Sequence, residues 1–290
     1  MKTQRATALV LVSPWIAALA LFWGFPLIYS FLMGFTDYSL FSPEKYDWIG
    51  LANYRALLSD SDFIASLKNT TIFVFGTIPV TTIISLGMAL IVNRQFKGRG
   101  FFRAGYFLPS ITSMVVIALI FTNLYQRGGY VATLASMVGL TPPEYGFLYS
   151  QDTALYAIMA MDVWMSVGYY MLIFLAGLKA IPDELYEAAE VAGASAWRQF
   201  ISITLPLLRP VALYILVINA IKSFQVFVEV FVMTKGKFDT QTMVYFVYDR
   251  GLTTGFESGY ASAAAYILFF IVGLFSIALF TLMRRRSEAW

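Results

Sequence analysis

Four stretches of this chain, residues 6–36, 69–93, 104–126 and 258–283, contain no Asp, Glu, Lys or Arg. A helix needs about 20 largely apolar residues to cross the hydrocarbon core of a bilayer, and each stretch is long enough. Two more, 153–178 and 210–234, are interrupted only by Asp162, Lys222 and Glu229. Backbone groups in lipid must be paired within the spanning structure, so only helices and closed barrels cross. A barrel would show alternating strands of roughly 10 residues, which these continuous runs exclude. The pattern predicts an all-α, polytopic membrane protein with six transmembrane helices, about 8–34, 69–94, 103–126, 153–179, 207–234 and 258–283, in a single domain over 1–290. The charged fraction of 13% agrees, since soluble domains carry about 25%.

Met1 to Arg5 followed by apolar residues has the outline of a signal peptide. The apolar run is too long for one, and Phe22, Trp23, Phe25 and Tyr29 occupy the region where small residues permit cleavage. A retained first span is expected. Lys and Arg collect on cytoplasmic loops. With the N-terminus inside, the inner side receives Lys2, Arg5, Arg94, Lys97, Arg99, Arg103, Lys179, Arg198, Arg209 and Arg284 to Arg286. The other side, with the outer loops 37–67, 127–152 and 235–257, receives only Lys45, Arg55, Lys68, Arg127, Lys235, Lys237 and Arg250. Both termini are therefore expected on the cytoplasmic side of a cell membrane.

The chain contains no Cys and no His. No disulfide, Cys/His zinc site or haem held by either residue is available, and no metal site or bound cofactor is expected. No basic stretch is dense enough for nucleic acid. The lipid bilayer is the partner that composition alone requires.

One inner loop is long and patterned. Ile181-Pro182-Asp183-Glu184-Leu185 opens a helix, because Pro suits the first helical position and the two acids complement the positive end of the dipole. Leu185, Ala188, Ala189 and Ala192 recur at helical spacing on one narrow face. Gly193 is a stop and Ser195 a cap for a second helix, on which Trp197, Phe200, Ile201 and Thr204 share a face. Pro206 is expected to end that helix and begin the next span. Such a knob can lie on lipid or dock on a protein. Lipid-surface helices are usually rich in Lys and Arg, whereas residues 180–197 hold four acids and neither base, which favours a protein.

The run from Glu187 to Pro206, EAAEVAGASAWRQFISITLP, resembles the "EAA" loop of binding-protein-dependent ABC importer permeases. Ile181-Pro182 upstream and Leu207-Leu208-Arg209-Pro210 downstream fit as well. Ala192 stands where that family often has Asp, which removes a polar contact but keeps the helix–Gly–helix form. Gly50-Leu51-Ala52-Asn53-Tyr54, Phe96 to Arg103 with Leu108-Pro109, and Gly259 to Ala264 resemble further family segments. Met233 to Lys237 resembles a family turn in which Lys235, Lys237 and Phe238 replace Gly and Pro. The pattern is most similar to the first permease of the carbohydrate-uptake subfamily. The resemblance implies a type I ABC importer permease fold in a bacterial cell membrane. It also implies a second homologous permease, two ATPase subunits and an extracellular or periplasmic solute-binding protein. ATP and Mg would bind the ATPase, since this chain has no phosphate-binding G-x-x-x-x-G-K-[ST] loop; no catalytic residue is expected here. The loop 181–206 would then couple to the ATPase through Glu187, Ala188, Ala189, Gly193, Ala194, Trp197 and Phe200.

An ionisable residue inside a span marks a functional site by default. Asp162, Met165, Ser166 and Tyr169 fall at i, i+3, i+4 and i+7 on the fourth span, and Asn219, Lys222, Ser223 and Val226 do so on the fifth. Trp164, Tyr170 and Phe224 stand on adjoining faces. Mixed donors and acceptors with apolar surface suit a polyol. Two readings stay open: Asp162 and Lys222 lock two helices together, or the stripes line a pathway. The resemblance implies the second, since the corresponding family segments line the sugar site. Lys222 would then pair with Asp162 or meet an anionic group of the substrate. Glu229 is an outer-gate residue or a helix contact. The remaining spans read as scaffold. The competing function is an ion-coupled secondary transporter of a small polar solute, which usually shows an internal repeat; none is visible.

Overall fold

The computed structural model describes residues 2–253 and 257–287, with side chains from 10 to 253 and from 257 to 281. The side chains of Lys2, Arg5 and Arg284 to Arg286, expected inner-side markers, lie outside the described residues, as does 254–256 of the expected third outer loop. Among the described residues the chain is helical, with only two isolated bridges, Thr36 to Trp48 and Gln126 to Gly146, outside the helices.

The helices in chain order are α1 (Lys2–Leu19), α2 (Phe25–Met33), α3 (Ala52–Leu57), α4 (Ser61–Asn93), α5 (Arg99–Ile111), α6 (Met114–Leu124), α7 (Tyr130–Met137), α8 (Ala154–Lys179), α9 (Asp183–Val191), α10 (Ala196–Gln199), α11 (Leu205–Leu207), α12 (Arg209–Phe224), α13 (Val228–Met233), α14 (Met243–Tyr248) and α15 (Ser258–Ser287). Five segments are long and apolar enough to cross a membrane: Val10–Met33, Ser61–Asn93, Ala154–Lys179, Arg209–Met233 and Ser258–Thr281. A sixth is reached when α5 and α6 count as one span, although they meet at a bend of 98°.

That bend revises the expectation of a simple span over 103–126. Pro109 removes one ladder amide near the end of α5. Thr112 and Ser113 then take extended backbone, with ψ of 151° and 127°, before α6 restarts. Pro26 has a milder effect in the first span. Its missing N–H is absorbed by a five-residue π-turn, Ala20–Gly24, in which the Phe25 amide donates to the Ala20 carbonyl. Pro206 behaves the same way. The Phe200–Thr204 π-turn carries the helix through it, with the Leu205 amide on the Phe200 carbonyl. The fifth span therefore starts at Arg209, with Pro210 in its first turn, and not at Pro206.

The chain divides into two compact units, Met1–Ile64 with Phe246–Phe269, and Ala65–Tyr245 with Phe270–Trp290. In the first unit, Asn53 donates to the carbonyls of Gly34 (3.0 Å) and Thr36 (2.8 Å), which ties α3 to the end of α2. The Tyr266 hydroxyl donates to the Leu27 carbonyl. Asp60 caps α4 by accepting from the Asp62 and Phe63 amides at 2.8 and 3.3 Å. It also accepts from the Tyr260 hydroxyl at 2.7 Å. Arg250 reaches Asp62 at 2.9 Å, Glu257 at 3.4 Å and Asp60 at 4.0 Å. Burial pushes the Asp60 carboxyl up, but the Tyr260 bond, the two amides and the Arg250 charge outweigh it and hold the group below its ordinary value. The first span exposes Val10, Leu11, Trp15, Phe22 and Trp23, an apolar surface too large for water and suited to lipid or a partner.

The core of the second unit surrounds α8. One cluster gathers Phe73, Ile117, Tyr125, Leu148, Ile158, Met161, Met165, Val226 and Val230. A second gathers Ala89, Val92, Met171, Phe174, Leu178, Leu208 and Ile215. Gly168 permits the closest approach. A Cβ there would lie 1.8 Å from the Tyr106 carbonyl oxygen of α5, so the two backbones touch because this residue has no side chain.

Candidate functional site

Asp162 on α8 is nearly fully buried, where an unpaired charge would be costly. Lys222 on α12 answers it. The ammonium donates to Asp162 Oδ1 at 2.7 Å and to Ser166 Oγ at 2.7 Å. The pair is asymmetric: the Asp162 side chain is 2% exposed and that of Lys222 is 38% exposed. Ser166, one turn beyond Asp162, fixes the ammonium between two acceptors. Asn219, on the same side of α12, accepts from Ser223 at 3.4 Å, and Ser223 meets Thr77 of α4 at 3.3 Å. Two buried atoms of this group lack a hydrogen-bond partner among the described residues, Asp162 Oδ2 and Asn219 Nδ2. Glu229 on α13 is buried and within electrostatic reach of both Asp162 and Lys222.

Val226 does not share the helical face of Asn219 that its spacing predicts. α12 stops at Phe224, and Val226 lies in the break before α13. Its freed carbonyl is taken by the Thr242 hydroxyl at 2.9 Å. Val226 and Met165 both pack into the core beside Met161 and Val230. Tyr169 is exposed and meets Tyr170 edge-on. Of the adjoining aromatics, Tyr170 and Phe224 are buried and Trp164 is exposed.

The 181–206 loop forms the expected helix–Gly–helix knob. Pro182 is extended, and α9 begins one residue later at Asp183 than the sequence suggested. Gly193 has φ of +76°, a region that favours glycine. The Ala194 amide donates to the Ala189 carbonyl and the Gly193 amide to the Glu190 carbonyl, both at 2.9 Å. These are the two bonds of a Schellman stop. Ser195 then caps α10, accepting from the Arg198 amide at 3.4 Å. Tyr186 bonds Thr204 at 2.8 Å and folds α9 back against the segment leading to α12. Glu187, Ala188, Gly193 and Trp197 are exposed, while Ala189, Ala194 and Phe200 are half-buried. A cleft of about 760 Å³ opens beside the knob, lined among others by Arg94, Asp183, Glu187, Glu190 and Trp197.

A family model described as "Binding-protein-dependent transport system inner membrane component" matches residues 81–288. The chain belongs to that family. Among relatives, it is 35% identical over 96% of its length, and 89% of theirs, to a probable ABC transporter permease protein, YesP, of Bacillus subtilis. It is 32% identical to the trehalose/maltose transport system permease protein MalF of Thermococcus litoralis, over 96% of this chain and 94% of that one. Its fold matches a chain of a bacterial ABC transporter for import of the acidic polysaccharide alginate, with a TM-score of 0.84 at 22% identity, covering 98% and 96% of the two chains. The six apolar segments are thus those of a polytopic membrane permease, a transport subunit and not an enzyme.

One feature of this permease was missed in its sequence. The second span read as scaffold, yet α4 buries Ser66, Thr70, Thr77, Thr81 and Ser85. Their separations of 4, 7, 4 and 4 residues place them along one helical face. Thr77 reaches Ser223, and Ser85 donates to the Val167 carbonyl of α8 at 3.0 Å. The signal was present: small hydroxyls at helical spacing in an apolar run are interhelical contacts in membranes.

Proposed function

We propose that this permease forms one half of the translocation pathway of an ATP-driven importer for a sugar, oligosaccharide or related polyol. Its partners are a second homologous permease, two ATPase subunits and an external solute-binding protein. ATP and Mg bind the ATPase. Both termini face the cytoplasm, as the Lys and Arg distribution favours, and the 181–206 knob meets the ATPase there. The stripes of α8 and α12 line the pathway and present Asp162, Ser166, Tyr169, Asn219, Lys222 and Ser223. Met165 and Val226 hold these groups from behind. The sugar class is supported by the name of a relative, a trehalose/maltose transport system permease.

The observation that carries the coupling role is the knob itself. It is a rigid Schellman-capped pair of helices whose apolar and acidic residues stay exposed, including Val191 at 91%. An exposed apolar tip on a rigid base is suited to a protein socket, not to water. The chain has no Cys, so one introduced thiol is unique. Val191→Cys or Glu187→Cys should cross-link to the ATPase subunit in the assembled transporter, with a yield that changes when ATP binds. An assembled complex in which neither position cross-links would contradict the role.

A further inference from the structure

We propose that the Asp162–Lys222 pair makes this half of the pathway select uncharged, hydroxyl-rich solutes and exclude anionic ones. The inference rests on the reading of α8 and α12 as pathway lining. Lys222 lies in the middle of the Arg209–Met233 span, and taken alone it would invite an anion. Its surroundings argue otherwise. Two of its three N–H groups are committed, to Asp162 Oδ1 and to Ser166 Oγ, both at 2.7 Å. One of those acceptors is a carboxylate, so the positive charge is already balanced. Glu229 adds a second buried acid within electrostatic reach of both members. The cluster therefore has no surplus positive charge.

A carboxylate or sulfate entering here would lose its hydration and meet attraction from the ammonium and repulsion from Asp162 at similar range. Desolvation of an ion is recovered only when an unbalanced opposite charge receives it. A hydroxyl meets a different site. The ammonium retains one N–H for an acceptor, and its 38% exposure keeps that donor open. A solute hydroxyl can accept from it without bringing a charge that must be desolvated.

The test uses the complete transporter, with its partner subunits, in nanodiscs and without the solute-binding protein. Binding of maltotriose and of trigalacturonate is measured at millimolar concentration, and the ratio of their affinities is compared among variants. The wild type should favour the neutral probe. Asp162→Asn leaves the ammonium unbalanced and should lower the neutral-to-acidic ratio by about tenfold or more. Ser166→Asp places a second carboxylate on the same ammonium and should raise the ratio. The two variants move it in opposite directions, so either one that assembles decides the matter. A wild type that prefers the uronate, a ratio unchanged in an assembled variant, or binding of neither probe overturns the proposal. Failure of the chain to assemble with a separate ATPase would instead overturn the permease reading beneath it.

Discussion

Removing one member of the Asp162–Lys222 pair should not cost the same as removing the other. Lys222→Met strips the partner from a carboxylate that is 2% exposed. A buried charge left alone costs about 3–5 kcal/mol. Asp162→Asn leaves an ammonium with a side chain 38% exposed, free to turn toward water, and Ser166 still accepts from it. That loss resembles a hydrogen bond to a charged group, about 1.5–3 kcal/mol, reduced further by solvent. The double variant removes both charges and should recover most of the larger loss, to within about 1–2 kcal/mol of wild type, since replacing a buried pair with neutral groups is often close to neutral. The assay is equilibrium unfolding of the purified permease in mixed micelles of increasing SDS, with the four members of the cycle compared at one pH. The expected order of stability is wild type, double variant, Asp162→Asn, Lys222→Met, with the two single variants at least 1 kcal/mol apart, roughly the step between those two magnitudes. The reasoning would be refuted if Asp162→Asn cost more than Lys222→Met, or if the two losses simply added in the double variant.

Other outcomes follow from single contacts. Gly193→Ala forces a side chain into the left-handed region and should cost about 1–2 kcal/mol locally; because the knob is exposed, the loss should show as several-fold weaker coupling of ATP hydrolysis to transport, with global unfolding nearly unchanged. Gly168→Ala drives a Cβ to 1.8 Å from the Tyr106 carbonyl, so α5 and α8 must separate. It should cost at least the usual 1–3 kcal/mol of overpacking and reduce the folded yield, whereas Gly105→Ala, with nothing within 4 Å of the added Cβ, should be tolerated. Asp60 is held below its ordinary value in the folded chain. Its contribution is therefore complete above about pH 4, the unfolded carboxylate range, and is lost as pH falls toward the folded value. Unfolding followed from pH 7 down to 3 should show a smaller acid-dependent loss in Asp60→Asn than in wild type.

What the sequence revealed and what it hid divide along a physical line. Runs without charge have one stable fate in a bilayer, so the spans were legible from composition alone. The knob was legible because Gly193 and Ser195 act locally: a left-handed stop and a cap depend on neighbours within a few residues. The breaks were not. Nothing in Thr112-Ser113 forbids a helix, and the sharp turn there accompanies α5 lying against α8, where Tyr106 meets Gly168 from far along the chain. The interruption after Phe224 is sustained by Thr242, whose hydroxyl takes the Val226 carbonyl. Pro206 misled for the opposite reason. A proline rule assumes the α-helical ladder, and a π-turn supplies a different one. For the site, spacing put Asp162 with Ser166 on one helical face and Asn219 with Lys222 on another, but left open whether Asp162 and Lys222 meet, as they do at 2.7 Å. It could not tell that Tyr169 stays exposed or that Val226 turns into the core.

The central claim is that this chain is a permease that depends on a separate ATPase, engaged through residues 181–206. The direct measurement is ATP hydrolysis and solute uptake in proteoliposomes that hold this chain alone, the chain with its partner subunits, or the same assembly carrying Glu187→Ala together with Gly193→Pro. The account predicts no hydrolysis and no uptake from the chain alone, both activities from the assembly, and hydrolysis no longer tied to uptake in the altered assembly. Uptake by the chain alone, driven by an ion gradient, or full coupling in the altered assembly would contradict it.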